Sequence, residues 1–229
     1  MMEGPPTARW ARARSVAAMP LLLYGCAAQS VVSFEPDVPR GHTVVRPGRP
    51  GFVIGAPHGT TDPQTGDFAA ELARRTGFGL VVAAGLAIEP DAPGRPGRYE
   101  KRVQDAAQGP LAYYAEIHGN DRRESANRIE IAMVGGDAGL ATRLRVLYEL
   151  IRDAHLRAHP AAPRVDALVE PADKLFYGAT GSKRDGIVRL PARALHLELP
   201  RAARTDAREL YLVILADFLT QASTLPAGR

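Results

Sequence analysis

The sequence predicts an α/β fold, a three-layer sandwich built on a central mixed, mostly parallel sheet. Short apolar runs at 52–54, 80–88, 112–117, 129–134, 165–169 and 194–199 have the length of strands, and they alternate with segments of helical periodicity at 68–76, 99–108, 138–158 and 205–222. Alternation of this kind belongs to sheets whose crossovers cover both faces. The 229 residues and an apolar fraction of 45% suit one domain with its own core. No internal repeat is visible.

Ahead of that domain, a basic start around Arg9, Arg12 and Arg14 precedes an apolar stretch at 16–24. That stretch is too short to span a bilayer as a helix and has the length of a signal-peptide core. It ends in Leu23-Tyr24-Gly25-Cys26, which resembles a bacterial lipobox and implies lipidation of Cys26. The expected division is a signal peptide at 1–25, a lipoprotein tether with an edge strand at 26–50, and a single catalytic domain at 51–222. The location expected is the cell envelope, with membrane attachment through Cys26 on the periplasmic side. Cys26 is the single cysteine, so the mature domain has no internal disulfide and no thiolate metal site. The formal net charge is +4, of which Arg9, Arg12 and Arg14 against Glu3 supply two. What remains is too little for a nucleic-acid partner, which requires a dense basic face.

Within the domain, the apolar pair Val44-Val45 forms the edge strand, and 52–54 is a buried strand that ends in the His58 loop. Asp67 caps a helix that begins at Phe68, and Gly77 ends it. The run 80–88 is continuous enough for a central strand. The loop at 89–98, rich in Pro, Gly and Arg, is either disordered or a functional loop over the site. A helix at 99–108 leads to the strand that delivers His118. After strand 129–134, Gly135-Gly136-Asp137 turns the chain into the longest helix, whose Leu140, Leu144, Leu147, Tyr148 and Ile151 share one buried face. Pro160 and Pro163 stop it. Strands at 165–169 and 194–199 and a final helix at 205–222 complete the domain, while 170–184 carries no clear pattern.

Ligands of such sheets bind at the C-terminal ends of strands, where His58, His118 and Glu198 all fall. His58 and Asp62 stand on one loop, with Gly59 allowing a tight turn, so an imidazole and a carboxylate can meet one ion. The bland alternative is that Asp62, preceding a proline, caps its own turn. Alternation puts Tyr114, Glu116 and His118 on one face of their strand, so Glu116 or His118 can face a site. Two imidazoles and one carboxylate are a standard set for catalytic zinc, which lowers the pKa of a bound water from 15.7 to about 7. Leu195, Leu197 and Leu199 point to the core and leave His196 and Glu198 together on the other face. Glu198 reads as a general base that takes a proton from the zinc-bound water and returns it to the leaving amine, or as the partner of Arg201 or Arg204 in an ion pair. His196 is a substitute ligand, an electrophile or a packed histidine. Arg128 and Arg201 are the guanidinium groups chosen to hold a substrate carboxylate.

Taken together, Pro57-His58-Gly59 with Asp62, Ile117-His118-Gly119-Asn120 and Leu197-Glu198-Leu199-Pro200-Arg201 resemble the N-formylglutamate amidohydrolase family and the related phage poly-γ-glutamate hydrolases. The resemblance implies a zinc-peptidase-like fold, a single zinc ion at His58, Asp62 and His118, and Glu198 as catalytic acid/base. The activity it implies is hydrolysis of an N-acyl amino acid or peptide amide. Glu116-Ile117-His118-Gly119-Asn120 is also similar to a stretch of the cell-wall N-acetylmuramoyl-L-alanine amidases. Their second metal ligand lies between the histidines, which makes Glu100 the rival of Asp62. A third alternative is a lipid-anchored protein that binds an acidic ligand without catalysis.

Overall fold

A computed structural model describes Met1 and residues 43–84 and 98–226. The signal peptide, Cys26, most of the tether, the end of the run 80–88 and nearly all of the loop 89–98 lie outside the described residues. The strands and helices all belong to one compact unit, 31–229.

Among the described residues, seven strands form one sheet: β1 (Thr43–Arg46), β2 (Arg49–Ala56), β3 (Phe78–Ala83), β4 (Tyr113–Asn120), β5 (Arg128–Val134), β6 (Asp166–Val169) and β7 (Arg193–Pro200). Their spatial order is β1-β3-β2-β4-β7-β5-β6. β3, β2, β4 and β7 run parallel, as do β5 and β6. β1 is antiparallel to β3, and β5 to β7. The sheet is thus mixed and mostly parallel, as the alternation of runs predicts.

The helices are α1 (Thr65–Thr76), α2 (Arg98–Ala107), α3 (Ala138–Leu156), α4 (Thr180–Asp185), α5 (Arg201–Arg204) and α6 (Arg208–Ala222). The larger core lies between the sheet and α1, α3 and α6; it holds Ile54, Ile117, Ile131 and Leu197 with Phe68, Leu144, Tyr148 and Phe218. The opposite face carries a smaller cluster in which Val53, Val81, Tyr114 and Ala194 meet Tyr99 and Val103 of α2 with Ile187 and Val188. Each fully buried aliphatic side chain contributes about 1.5–3 kcal/mol. Among the described residues, the small cluster does not extend to the C-terminal ends of β4 and β7 on its own face, where polar side chains stand.

Several boundaries differ from the sequence expectation, each for a local reason. Helix α1 starts at Thr65 behind a left-handed Gln64, and Asp67 lies in its first turn, not at its cap. The Thr65 hydroxyl donates to Asp62 O at 2.8 Å, and Gly66 N donates to Gly59 O at 3.1 Å, which winds the loop directly into the helix. The final helix, α6, starts at Arg208 instead of 205, and a separate short helix, α5, precedes it, with residues 205–207 between them. Segment 170–184 includes the start of α4. Helix α3 begins as expected, with Asp137 Oδ1 accepting from Leu140 N at 2.7 Å.

Candidate metal centre

The loop after β2 turns on the carbonyl of His58, which accepts from Thr61 N at 2.9 Å and Asp62 N at 2.8 Å. A Cβ on Gly59 would lie 2.4 Å from Val82 Cγ1. The first His-Gly pair therefore needs its glycine for close packing on β3. The side chain of Asp62 reaches away from its own turn: Oδ2 accepts from Gly119 N at 3.3 Å and lies 3.5 Å from His118 Nδ1. The rings of His58 and His118 stand 5.2 Å apart, edge to face. One end of the site is thus the loop of β2 docked on the last turn of β4.

Register builds the rest. Glu116 of β4 is paired with His196 of β7, and His118 with Glu198. The sequence Glu-Ile-His on one strand therefore lies beside His-Leu-Glu on the next, so that acid and imidazole alternate in both directions. Glu116 Oε1 is 3.4 Å from His118 Nε2, and Glu116 Oε2 is 3.0 Å from His196 Nδ1. His196 Nε2 in turn lies 3.1 Å from Glu198 Oε1. The rings of His118 and His196 stack with centroids 4.2 Å apart. Asp62, His118, Glu116, His196 and Glu198 form one continuous chain of five groups.

Exposure is lowest in its middle, falling from 27% for the Asp62 side chain to 9% for His118 and 1% for Glu116 and rising again to 7% for His196 and 9% for Glu198. Burial draws the His118 imidazole down, but the Glu116 carboxylate beside it, with Asp62 and Glu198, outweighs burial and raises its pKa to about 10. Burial pushes Glu116 up, and the His118 and His196 imidazoles more than reverse this, holding it well below the usual carboxylate range. Asp62 is also lowered: burial opposes ionisation, and His118 and the Gly119 amide favour it. His58 is lowered by burial and by its neighbour His118, so it offers a neutral ring. Among the described residues no lysine or arginine forms an ion pair with Asp62, Glu116 or Glu198. Their positive partner is the proton on His118, so the donor set is that of a cation site. His118 Nε2 and Glu116 Oε1 face each other without a formed hydrogen bond, which leaves two buried polar atoms unsatisfied.

Two further polar residues frame the site. Glu130 of β5 lies opposite Glu198 in the antiparallel ladder. Its buried carboxylate accepts from Ser125 Oγ at 2.9 Å and from the backbone nitrogens of Phe176 and Tyr177 at 2.9 and 2.8 Å, which ties two neighbouring loops to the sheet. Arg204 of α5, 1% exposed, donates to Leu199 O at 3.1 Å, to Asp121 Oδ1 at 2.6 Å and to Pro63 O. One guanidinium thus joins the ends of β4 and β7 to the His58 loop. A Cβ on Gly119 would lie 2.9 Å from its Cζ, so the second His-Gly pair also owes its glycine to packing.

The structure brings His58, Asp62, His118 and Glu198 to the C-terminal end of the sheet. Glu198 partners His196, not Arg201 or Arg204. Arg128 opens β5 two residues before Glu130, on the face of Glu198, and Arg201 directly follows β7; both are exposed. Glu100 is buried on α2, 4.0 Å from the Arg189 guanidinium, outside the chain of five groups. Sequence reasoning named Glu116 only as an alternative to His118 at the site and left His196 among three roles; their mirrored spacing is nonetheless visible in the sequence.

No family model matches the chain, and no curated protein does. Solved structures with a similar chain course include one described as a bacteriophage poly-gamma-glutamate hydrolase, 15% identical over 79% of this chain and 86% of that chain, with a TM-score of 0.49. A structure described as zinc-free YndL is 14% identical over 80% of this chain and 91% of that one, with a TM-score of 0.48. The N-acetylmuramoyl-L-alanine amidase AmiC2 of Nostoc punctiforme is 15% identical over 77% of this chain and 97% of its own, at 0.34. At these values the likeness concerns the course of the chain and not its chemistry.

Proposed function

We propose that the protein is a zinc-dependent amidohydrolase of N-acyl amino acids or peptide amides, with His58, Asp62 and His118 holding one zinc ion and Glu198 acting as general base. The observation that carries this reading is the placement of His118: Nδ1 faces Asp62 on the open side and Nε2 faces a sealed carboxylate. Metal-ligating histidines characteristically present one ring nitrogen to the ion and the other to a carboxylate. A zinc ion there supplies a Lewis acid that polarises the scissile carbonyl. The half-buried His58 and Asp62 leave room for the open position that a catalytic ion needs. Glu198, beside His118 across the β4/β7 ladder, takes a proton from the attacking water and returns it to the leaving nitrogen. Arg128 and Arg201 belong to this reading as carboxylate-binding groups, and Cys26 as the lipid anchor of an envelope protein.

A second ligand set has an observation of its own. Ligand atoms of Glu116, His118 and His196 lie within 4.8 Å of one another. Both ring nitrogens of His196 are already within hydrogen-bond reach of carboxylates, however, and Glu116 is sealed from solvent. Metal analysis of the full chain separates the two sets. Wild type with about one equivalent of zinc, retained by His196→Gln and lost in His58→Ala, supports the first. Zinc kept by His58→Ala and lost by His196→Gln places the ion on the second, and loss in Glu100→Ala would favour the cell-wall amidase pattern. Hydrolysis of N-formylglutamate, γ-glutamyl peptides and muramyl peptides by the loaded protein then distinguishes the substrates. Failure of wild type to take up zinc would sink the enzyme reading and leave a binding protein.

A further inference from the structure

Glu116 is the most deeply buried of the five groups, and the assignment above uses only the oxygen that faces His118. A buried carboxylate is costly unless donors meet its oxygens, and here each oxygen faces a different imidazole, His118 Nε2 at 3.4 Å and His196 Nδ1 at 3.0 Å. An ionised carboxylate only accepts, so His196 Nδ1 is the donor to Glu116, while His118 Nε2 faces the other oxygen without a formed hydrogen bond. This determines what each ring has left to offer: Nδ1 of His118 is turned to Asp62, and Nε2 of His196 is turned to Glu198. The two rings stack at an interplanar angle of 30°, so one cannot swing without displacing the other. Glu116 is itself confined from below. Its β2 neighbour is Gly55, where a Cβ would fall 2.0 Å from the Tyr114 hydroxyl, and that hydroxyl lies 3.0 Å from the Tyr99 hydroxyl.

We propose that Glu116 is a positioning residue for both halves of the site, orienting His118 toward the ion with one oxygen and holding the His196 ring beside Glu198 with the other. The inference rests on His58, Asp62 and His118 as the ligand set. It makes ion binding and proton transfer depend on one carboxylate that touches neither the ion nor the substrate.

The test is the zinc affinity of the full chain, by competition with a chromogenic chelator, in wild type, Glu116→Gln and His196→Gln, together with nitrogen-15 spectra of the histidine rings in the metal-free proteins. Loss of a carboxylate behind a ligating histidine weakens metal binding about 10–100-fold. That loss is expected for Glu116→Gln, with zinc affinity unchanged in His196→Gln. The nitrogen-15 signals of the His196 ring are expected to differ between wild type and Glu116→Gln, because Nδ1 loses its partner carboxylate, a change that a merely structural role would not produce. Should Glu116→Gln not fold, Glu116→Asp replaces it, since it keeps the charge but withdraws both oxygens, and the same loss is expected. Wild-type affinity in the folded Glu116 variants, or unaltered His196 signals, would overturn the proposal. Zinc loss in His196→Gln as well would make Glu116 a ligand and overturn it differently, while absence of zinc uptake by wild type would remove the ligand reading itself.

Discussion

Asp62 Oδ2 lies 3.5 Å from Nδ1 of His118, so a carboxylate from the loop after β2 is docked on an imidazole at the end of β4. Neither residue is held there by its own segment alone. Asp62→Ala is therefore expected to reduce bound zinc strongly and to lower the His118 pKa from about 10, because one of the groups that raise it is gone. Zinc content by atomic emission and NMR titration of the metal-free His118 ring check the two effects.

Glu198→Gln preserves shape and removes the base. Zinc content should match wild type while kcat falls by about 10²–10⁴, the usual contribution of a positioned general base. Steady-state kinetics at saturating zinc provide the check, and a variant as active as wild type would remove Glu198 from the mechanism.

Arg204→Met leaves two carbonyl oxygens and Asp121 without their donor. A loss of about 2–4 kcal/mol is expected by urea denaturation, with a weaker hold on zinc. Arg204→Lys should restore little of it, since an ammonium lacks the planar fork that reaches several acceptors at once.

Glu71 on α1 accepts from Arg74 and Arg75, and these bonds hold its pKa at about 2. A folded-state pKa below the unfolded value of 4.5 gives stability that is complete above pH 4.5 and disappears as pH falls through about 2. Arg74 is half exposed, so solvent screening reduces the contribution to about 1 kcal/mol at neutral pH. Wild type and Glu71→Gln, compared by denaturation from pH 7 down to pH 2, should differ by that amount at first and converge at the acid end.

Gly59→Ala forces a methyl group against Val82, and overpacking of this kind costs about 1–3 kcal/mol. Thermal unfolding should register it.

Much of the sheet was legible because β2, β3, β4 and β7 are buried on both faces and read as short apolar runs between turn residues. The His58 and His118 strand ends were legible for the same reason: a histidine that closes such a run must lie at the mouth of the sheet. Register was not. Glu116-Ile117-His118 and His196-Leu197-Glu198 are both plain in the chain, yet only the adjacency of β4 and β7, strands far apart in sequence, sets acid against imidazole. Glu130 gave no signal either, because two of its three partners are backbone amides of a segment without periodicity. The start of α1 was missed because it depends on Thr65 and Gly66 bonding back to the preceding loop, a tertiary condition that cap preferences do not contain.

The triple grip of Arg204 also bears on how this surface can change. Pro63, Asp121 and Leu199 lie in three segments that are separate along the chain but share one donor, so substitutions that shift any of them alter the geometry available to the other two. Changes there should combine non-additively. For engineering or natural divergence, the three segments are one heritable module: they tolerate exchange as a set, and a graft of one without the others carries a mismatched socket for the same guanidinium.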